Sequence, residues 1–264
     1  MRGSRRALTL STVLMCVSVA ADRPAAWTSA TDERVVREAL RLMPSSLKGI
    51  LQNHMDTLVA GTREAAGEEP SGLHAFDSAQ KNPSAASRLE ELVPKAVAAI
   101  DQHKPFADVA RLLGRIAHYA GDLNNPLQVS GDDPAEDRYA ARYSVYVEEN
   151  LPRYPLVFYG WEDPALDAAK NAREGVRAFA ESSARRSRPS YDHIRAAYDP
   201  ASKVPMARRF DERSLPFGVG SLGWSHTVTD TARLWRFVWK HAHGDMRGTP
   251  YPEKAAAGVS GAKP

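Results

Sequence analysis

The chain of 264 residues has a single cysteine, Cys16, and that residue sits inside an apolar stretch near the start. The rest of the chain has no thiol. Disulfides and thiolate ligands are therefore excluded there, and any metal must be held by nitrogen and oxygen. Beyond that opening stretch there is no apolar run of transmembrane length and no repeat period, which excludes membrane-spanning helices and solenoid arrays. Strand-like alternation is scarce. A charge excess is also lacking: the first 26 residues carry four arginines and one aspartate of the 35 basic and 32 acidic residues, leaving 31 of each. Runs such as "SARRSR" (183–188) read as solvated helix ends, not as a phosphate track, so composition makes no case for nucleic acid.

What is present begins with "MRGSRRALTLSTVLMCVSVAA". It has a basic start, a short apolar stretch and small residues at a cleavable end, as secretory signals do. "SRRALTL" also resembles a twin-arginine export signal, although plain secretory signals tolerate two arginines as well. Residues 1–26 are thus expected to be a targeting segment, and the protein to be exported to the periplasm or beyond. Residues 27–243 are expected to form one all-α domain, a single helical bundle. Residues 244–264, with glycine and proline scattered through them, are expected to be a flexible tail.

The helical pattern is read from apolar spacing and punctuation. "TDERVVREALRLM" starts a helix at Thr31 or Asp32. A second helix follows Pro44 and stops at Gly61, before a polar loop over 62–84. Further helices are expected over 85–103, 105–122, 136–152 and 164–186. The last covers "LGWSHTVTDTARLWRFVWKHA". "GVGSLG" (218–223) matches a dinucleotide-binding fingerprint but lacks the preceding strand and the following βαβ unit, so it reads as a glycine-rich start to a helix.

The stretch "AHYAGDLNNPLQVS" (117–130) carries the most chemistry. On a helix His118 and Asp122 share a face, so N and O donors can aim at one point. Arg111 and Arg115 continue the same stripe. Spacing alone leaves two readings open: part of a metal site, or a solvated polar face with a local His–Asp hydrogen bond.

"HYAGDLNNPLQ" resembles the H-[YF]-x-G-D-x-x-x-P-[LM]-H signature of zinc-dependent phospholipase C and the related single-strand-specific zinc nucleases. "AGTREAAGEEP" (60–70) is similar to that family's loop with a metal-binding aspartate. "LHAFD" (73–77) resembles its H-F-Y-D turn, whose histidine is a ligand. "AARYSVYVEENL" (140–151) is similar to its helix with an H-x-x-x-E ligand pair. "WTSATDERVVREAL" (27–40) is similar to its mature N-terminus, where a tryptophan binds metal through its amino group and carbonyl. The resemblance spans most of residues 27–151. It implies an exported, all-α fold of the phospholipase C and zinc nuclease type with a cleft for three zinc ions.

Carried over residue by residue, the resemblance is incomplete. His74, His118 and Asp122 match ligands. Trp27 matches if processing makes it the first residue, and Asp32 stands where the nuclease branch has a histidine. Ala66 stands where the loop aspartate is expected. Gln128, Ala140 and Ser144 replace the His, His and carboxylate of one whole zinc. The implied metal set is therefore His74, His118 and Asp122, with Asp32 and Trp27 nearby, holding one zinc in place of three, or none. His74 is also compatible with a loop histidine that caps a turn. Arg111 and Arg115 replace mainly apolar residues of the family. They suit either a solvated charged face or a pair of guanidinium groups for a phosphate or carboxylate. Two functions stay open: a reduced metal-dependent phosphoester hydrolase, or a catalytically inactive relative whose cleft binds a ligand, a phospholipid head group or a protein.

Overall fold

The computed structural model describes residues 27–68, 70–76, 84–130, 140–199 and 209–251. The expected targeting segment and the end of the expected tail lie outside them. Among the described residues there are helices, short 3-10 turns and no strand. The helices are α1 (Ser29–Arg41), α2 (Ser45–Gln52), α3 (Met55–Ala66), α4 (Ala85–Asp101), α5 (Phe106–Asn124), α6 (Ala140–Asn150), α7 (Pro164–Asp167), α8 (Val176–Ser187), α9 (Tyr191–Tyr198) and α10 (Leu215–His241).

Helix α5 is the axis of the bundle. It packs against α1, α3, α4, α8 and α10, and every residue from Ile116 to Asn124 is buried. A helix surrounded on all sides has no solvent face, so whatever polar side chains it carries there must find partners inside. Two tryptophans fix its position. Trp235 of α10 donates its indole N–H to the Leu113 carbonyl at 2.9 Å, and Trp27 donates to the Gly121 carbonyl at 3.0 Å. Around it, Met43, Leu47, Leu51, Leu58, Leu89, Leu92 and Phe179 are fully buried and supply the apolar core.

The expected stop at Gly61 is corrected. The chain breaks at Asn53–His54, and α3 then runs through Gly61 to Ala66. Gly61 is a packing residue. A Cβ there would strike the Arg111 backbone, and one at Gly114 would strike the Leu58 carbonyl and lie 3.1 Å from the Gly61 Cα. These two glycines let α3 and α5 meet backbone to backbone.

The single helix expected over 164–186 is also two, α7 and α8. Gly175 between them has φ +83, a left-handed conformation that no continuous helix can pass through. In contrast, α10 starts earlier than expected, because Ser214 caps it by accepting from the Phe217 N–H at 3.3 Å. "GVGSLG" therefore lies within the helix. Gly220 makes room for the Tyr154 ring, and Gly223 for Trp27 and the Asn124 carbonyl. Residues 244–251, the start of the expected tail, are hydrogen-bonded to the body. The Trp161 indole donates to the Pro250 carbonyl at 2.8 Å, and the Ser45 N–H to the Arg247 carbonyl at 3.1 Å.

Candidate metal centre

His118 and Asp122 stand one turn apart on the enclosed half of α5, with side chains that are both 0% exposed. Asp32 reaches them from the first turn of α1, where the Thr28 hydroxyl caps the helix. His74 closes the 3-10 turn Ser71–His74 and lies beside them, although it is 44 residues away from His118 in sequence. The stripe that begins with exposed Arg111 thus descends into the interior, and His118 and Asp122 are not on a solvated face.

The hydrogen bonds fix which imidazole nitrogens point inward. His118 Nδ1 lies 2.8 Å from Asp32 Oδ2, and His74 Nε2 lies 3.3 Å from the Glu68 carbonyl oxygen. Both partners only accept, so each outer nitrogen carries the proton and donates. The inner nitrogens, His118 Nε2 and His74 Nδ1, then face each other at 3.2 Å. Asp122 Oδ2 completes the triangle, 2.9 Å from His74 Nδ1 and 3.6 Å from His118 Nε2. Three acceptors that meet in a buried space require a positive charge between them, either a proton or a metal ion.

The geometry suits a metal. Bonds of about 2.1 Å to a tetrahedral ion place ligand atoms about 3.4 Å apart, close to all three observed edges. Asp122 Oδ1 is buried without a hydrogen-bond partner, so the carboxylate keeps unused acceptor capacity at the centre. The carboxylate–imidazole contact of Asp32 with His118 and the carbonyl contact of Glu68 with His74 are the outer support that metal-bound histidines need. His74, His118 and Asp122 also form the one grouping of metal-ligating side chains found among the described residues. Without a metal, the proton takes its place. Burial alone would lower the His118 pKa, but the Asp122 and Asp32 carboxylates outweigh it and hold the imidazolium up to about 9. Burial raises the Asp32 carboxyl, against the opposing pull of His118.

The loop that carries His74 is anchored from outside. The Glu68 carboxylate accepts from Arg88 of α4 at 2.7 Å and from Arg115 and Tyr119 of α5. On the far side of His74, the Phe76 N–H donates to the Gln128 carbonyl at 2.9 Å. Tyr119 stacks on His74 with centroids 5.6 Å apart. Glu68 and Arg88 escaped the sequence reading, and Tyr119 entered it only as the aromatic position of "HYAGD". The only local signal was the acidic pair in "GEEP", which gives no hint of partners on two other helices.

The remaining expected residues fall outside the triangle. The Trp27 indole is buried against Gly121, one residue before Asp122, and bonds the helix, a contact separate from the backbone amino group and carbonyl through which ligation is expected. Arg111 forms a surface pair with Glu64, and Arg115 is engaged by Glu68. Both guanidinium groups are thus balanced by carboxylates from the α3 end and its loop. Ala66 occupies the last turn of α3. Gln128 is buried just beyond α5, while Ala140 and Ser144 lie on the buried face of α6, where the Ser144 hydroxyl donates to the Ala140 carbonyl at 3.1 Å.

No family model matches the chain, and no curated protein matches it significantly in sequence. Solved structures do match in fold. The alpha-toxin of Clostridium perfringens from the avian strain SWCP aligns with a TM-score of 0.63 at 12% identity, over 84% of this chain and 66% of that one. The alpha toxin of Clostridium absonum aligns with a TM-score of 0.62 at 16% identity, over 82% of this chain and 64% of that one. The chain has the all-α fold of these toxins and spans just under two thirds of their length.

Proposed function

We propose that this chain is an exported member of the zinc phospholipase C and zinc nuclease superfamily, with one zinc site where that superfamily has three. On this reading it has weak or absent phosphoester hydrolase activity. The observation that carries the reading is the convergence of His74 Nδ1, His118 Nε2 and Asp122 Oδ2 as three inward-facing acceptors. A zinc ion held there would supply Lewis acidity and lower the pKa of a bound water toward neutrality.

The chain's own residues set the rest. Asp32 holds the Nδ1 proton of His118 and so keeps Nε2 free to ligate. The Glu68 carbonyl does the same for His74, and Arg88, Arg115 and Tyr119 hold Glu68 in place. Asp122 Oδ1 has lone pairs to accept a proton at the centre. Among the described residues there is no second group of metal-ligating side chains. Ala66, Gln128, Ala140 and Ser144 offer no imidazole or carboxylate, so a phosphodiester would meet one positive charge where the resembling enzymes bring several to phosphate and water.

A second reading is a catalytically silent protein that binds a phosphoester or a phospholipid head group. The near-complete burial of the three donors favours it: their side chains are 5%, 0% and 0% exposed, which restricts access by a substrate. Elemental analysis of the purified exported protein separates the two readings. One tightly held zinc supports the first and none supports the second. Under either reading, turnover of phosphatidylcholine or single-stranded DNA should be far below that of an enzyme with all three metals. Robust zinc-dependent turnover of either substrate would overturn both.

A further inference from the structure

We propose that the cavity between the end of α8, the start of α9 and the first half of α10 binds a small oxyanion carried on a short apolar group. The cavity measures about 130 Å³, and none of its lining residues belongs to the candidate metal centre. One water needs about 10–15 Å³ of such space, so there is room for a phosphate-sized head.

Its polar wall is built from Arg186, Ser187, Ser190 and His226. The sequence placed Arg186 in a solvated run, yet the side chain is only 32% exposed and is locked from behind. Its NH2 group donates to Asp230 Oδ2 at 2.6 Å and to Asn124 Oδ1 at 2.8 Å. Asp230 is fully buried and also accepts from Ser183 and from the Asn124 amide, so the acceptor that holds the Arg186 NH2 group is itself fixed. Its Nε and NH1 groups have no acceptor among the described residues. With NH2 engaged, Nε–H and NH1 point to opposite sides of the group, so each can donate singly to an oxyanion oxygen.

Ser187 and Ser190 precede the 3-10 turn Arg188–Ser190 and α9 in the cap position, but neither hydroxyl makes a capping bond. His226 is held flat against Tyr159, with centroids 4.2 Å apart. Burial, reinforced by Arg186 and only partly opposed by Asp230, pushes its pKa down to about 4. At neutral pH it is therefore uncharged and offers one N–H and one lone pair. Among the described residues no carboxylate lines the cavity, which argues against a cation. Val219 and Leu222 form the apolar wall, and Leu222, 50% exposed, stands free to cover an aliphatic stub.

Calorimetric titration of the full-length exported protein with n-butylphosphonate tests this. Saturable binding is expected, with inorganic phosphate weaker and n-butylammonium giving none. Removing Arg186 would leave buried Asp230 without its main partner and threaten the fold, so two gentler variants are used. Leu222→Glu adds a negative charge to an exposed position, and Ser190→Ala removes one hydroxyl. With thermal melts unchanged, binding should weaken by about tenfold or more in Leu222→Glu and by several-fold in Ser190→Ala. Cosedimentation with phosphatidate-containing vesicles separates the sources of the head group. Retention that n-butylphosphonate competes away assigns a lipid phosphate, and no retention assigns a soluble ester. No saturable binding of n-butylphosphonate, equal binding of n-butylammonium, or equal affinity in Leu222→Glu would each overturn the proposal.

Discussion

Metal uptake at the His74–His118–Asp122 triangle should be a proton-for-metal exchange, and its pH dependence follows from the geometry. In the metal-free protein the Asp122 and Asp32 carboxylates hold the His118 pKa up to about 9. At pH 7 the imidazole is therefore protonated at both nitrogens. Nδ1–H is held by Asp32 and can stay, whereas the Nε2 proton occupies the ligand position and must leave. Two pKa units correspond to about a hundredfold weaker apparent affinity at pH 7 than above pH 9, or about 3 kcal/mol. Zinc titration against a competing chelator should show affinity rising about tenfold per pH unit from 6.5 to 8.5. Calorimetry in buffers of different ionisation enthalpy should count close to one proton released at pH 7 and progressively less above pH 9. The stability of the metal-free protein has the opposite slope. A histidine whose folded pKa is raised contributes stability that is fully present below its unfolded value near 6.5. That contribution is lost as pH rises through about 9. Thermal melts should thus fall over this range without metal and stay nearly level with saturating metal, because the rise in affinity offsets the loss. Affinity that does not change between pH 6.5 and 8.5, with no proton released, would refute the assignment of His118 Nε2 as a ligand.

Two further outcomes are expected. Gly114→Ala places a methyl group against the Leu58 carbonyl, a backbone atom that cannot swing aside, and should cost about 3 kcal/mol, read as a lower denaturation midpoint; a neutral result would mean that α3 and α5 are farther apart than the structure has them. Gln128→His alone supplies one of three replaced ligands and should add little zinc after dialysis. Adding Ala140→His and Ser144→Glu, one turn apart on the buried face of α6, should add about one equivalent, and a well-folded triple variant that gains none would disprove the proposed register of α6.

The helical class, the approximate span of α1, α4 and α5 and the meeting of His74 with His118 and Asp122 were legible in the sequence. The first rests on apolar spacing, and the last on motifs in separate segments. The missed features share a physical cause. Spacing on one helix shows which side chains share a face, but not what lies across from that face. Arg111 and Arg115 were read as a pair on one stripe, and their partners Glu64 and Glu68 come from another helix and its loop. Glu68 acts through its backbone carbonyl as well as its carboxylate, and a carbonyl leaves no trace in residue identity. Gly61 was read as a stop because glycine ends helices well. The structure uses its missing side chain for close packing, which depends on the opposite helix.

The mutual approach of Gly61 and Gly114 also bears on inheritance. The helix that carries His118 and Asp122 is placed by a contact in which no metal ligand takes part. A lineage with this scaffold can exchange its ligands one at a time while the chain still folds, because nothing in the α3–α5 seam waits for an ion. The seam itself has no such latitude, since even a methyl group is barred at either glycine. Across distant descendants the seam glycines should therefore outlast the histidines, and a search keyed to the seam would find kin that a search keyed to zinc ligands passes over.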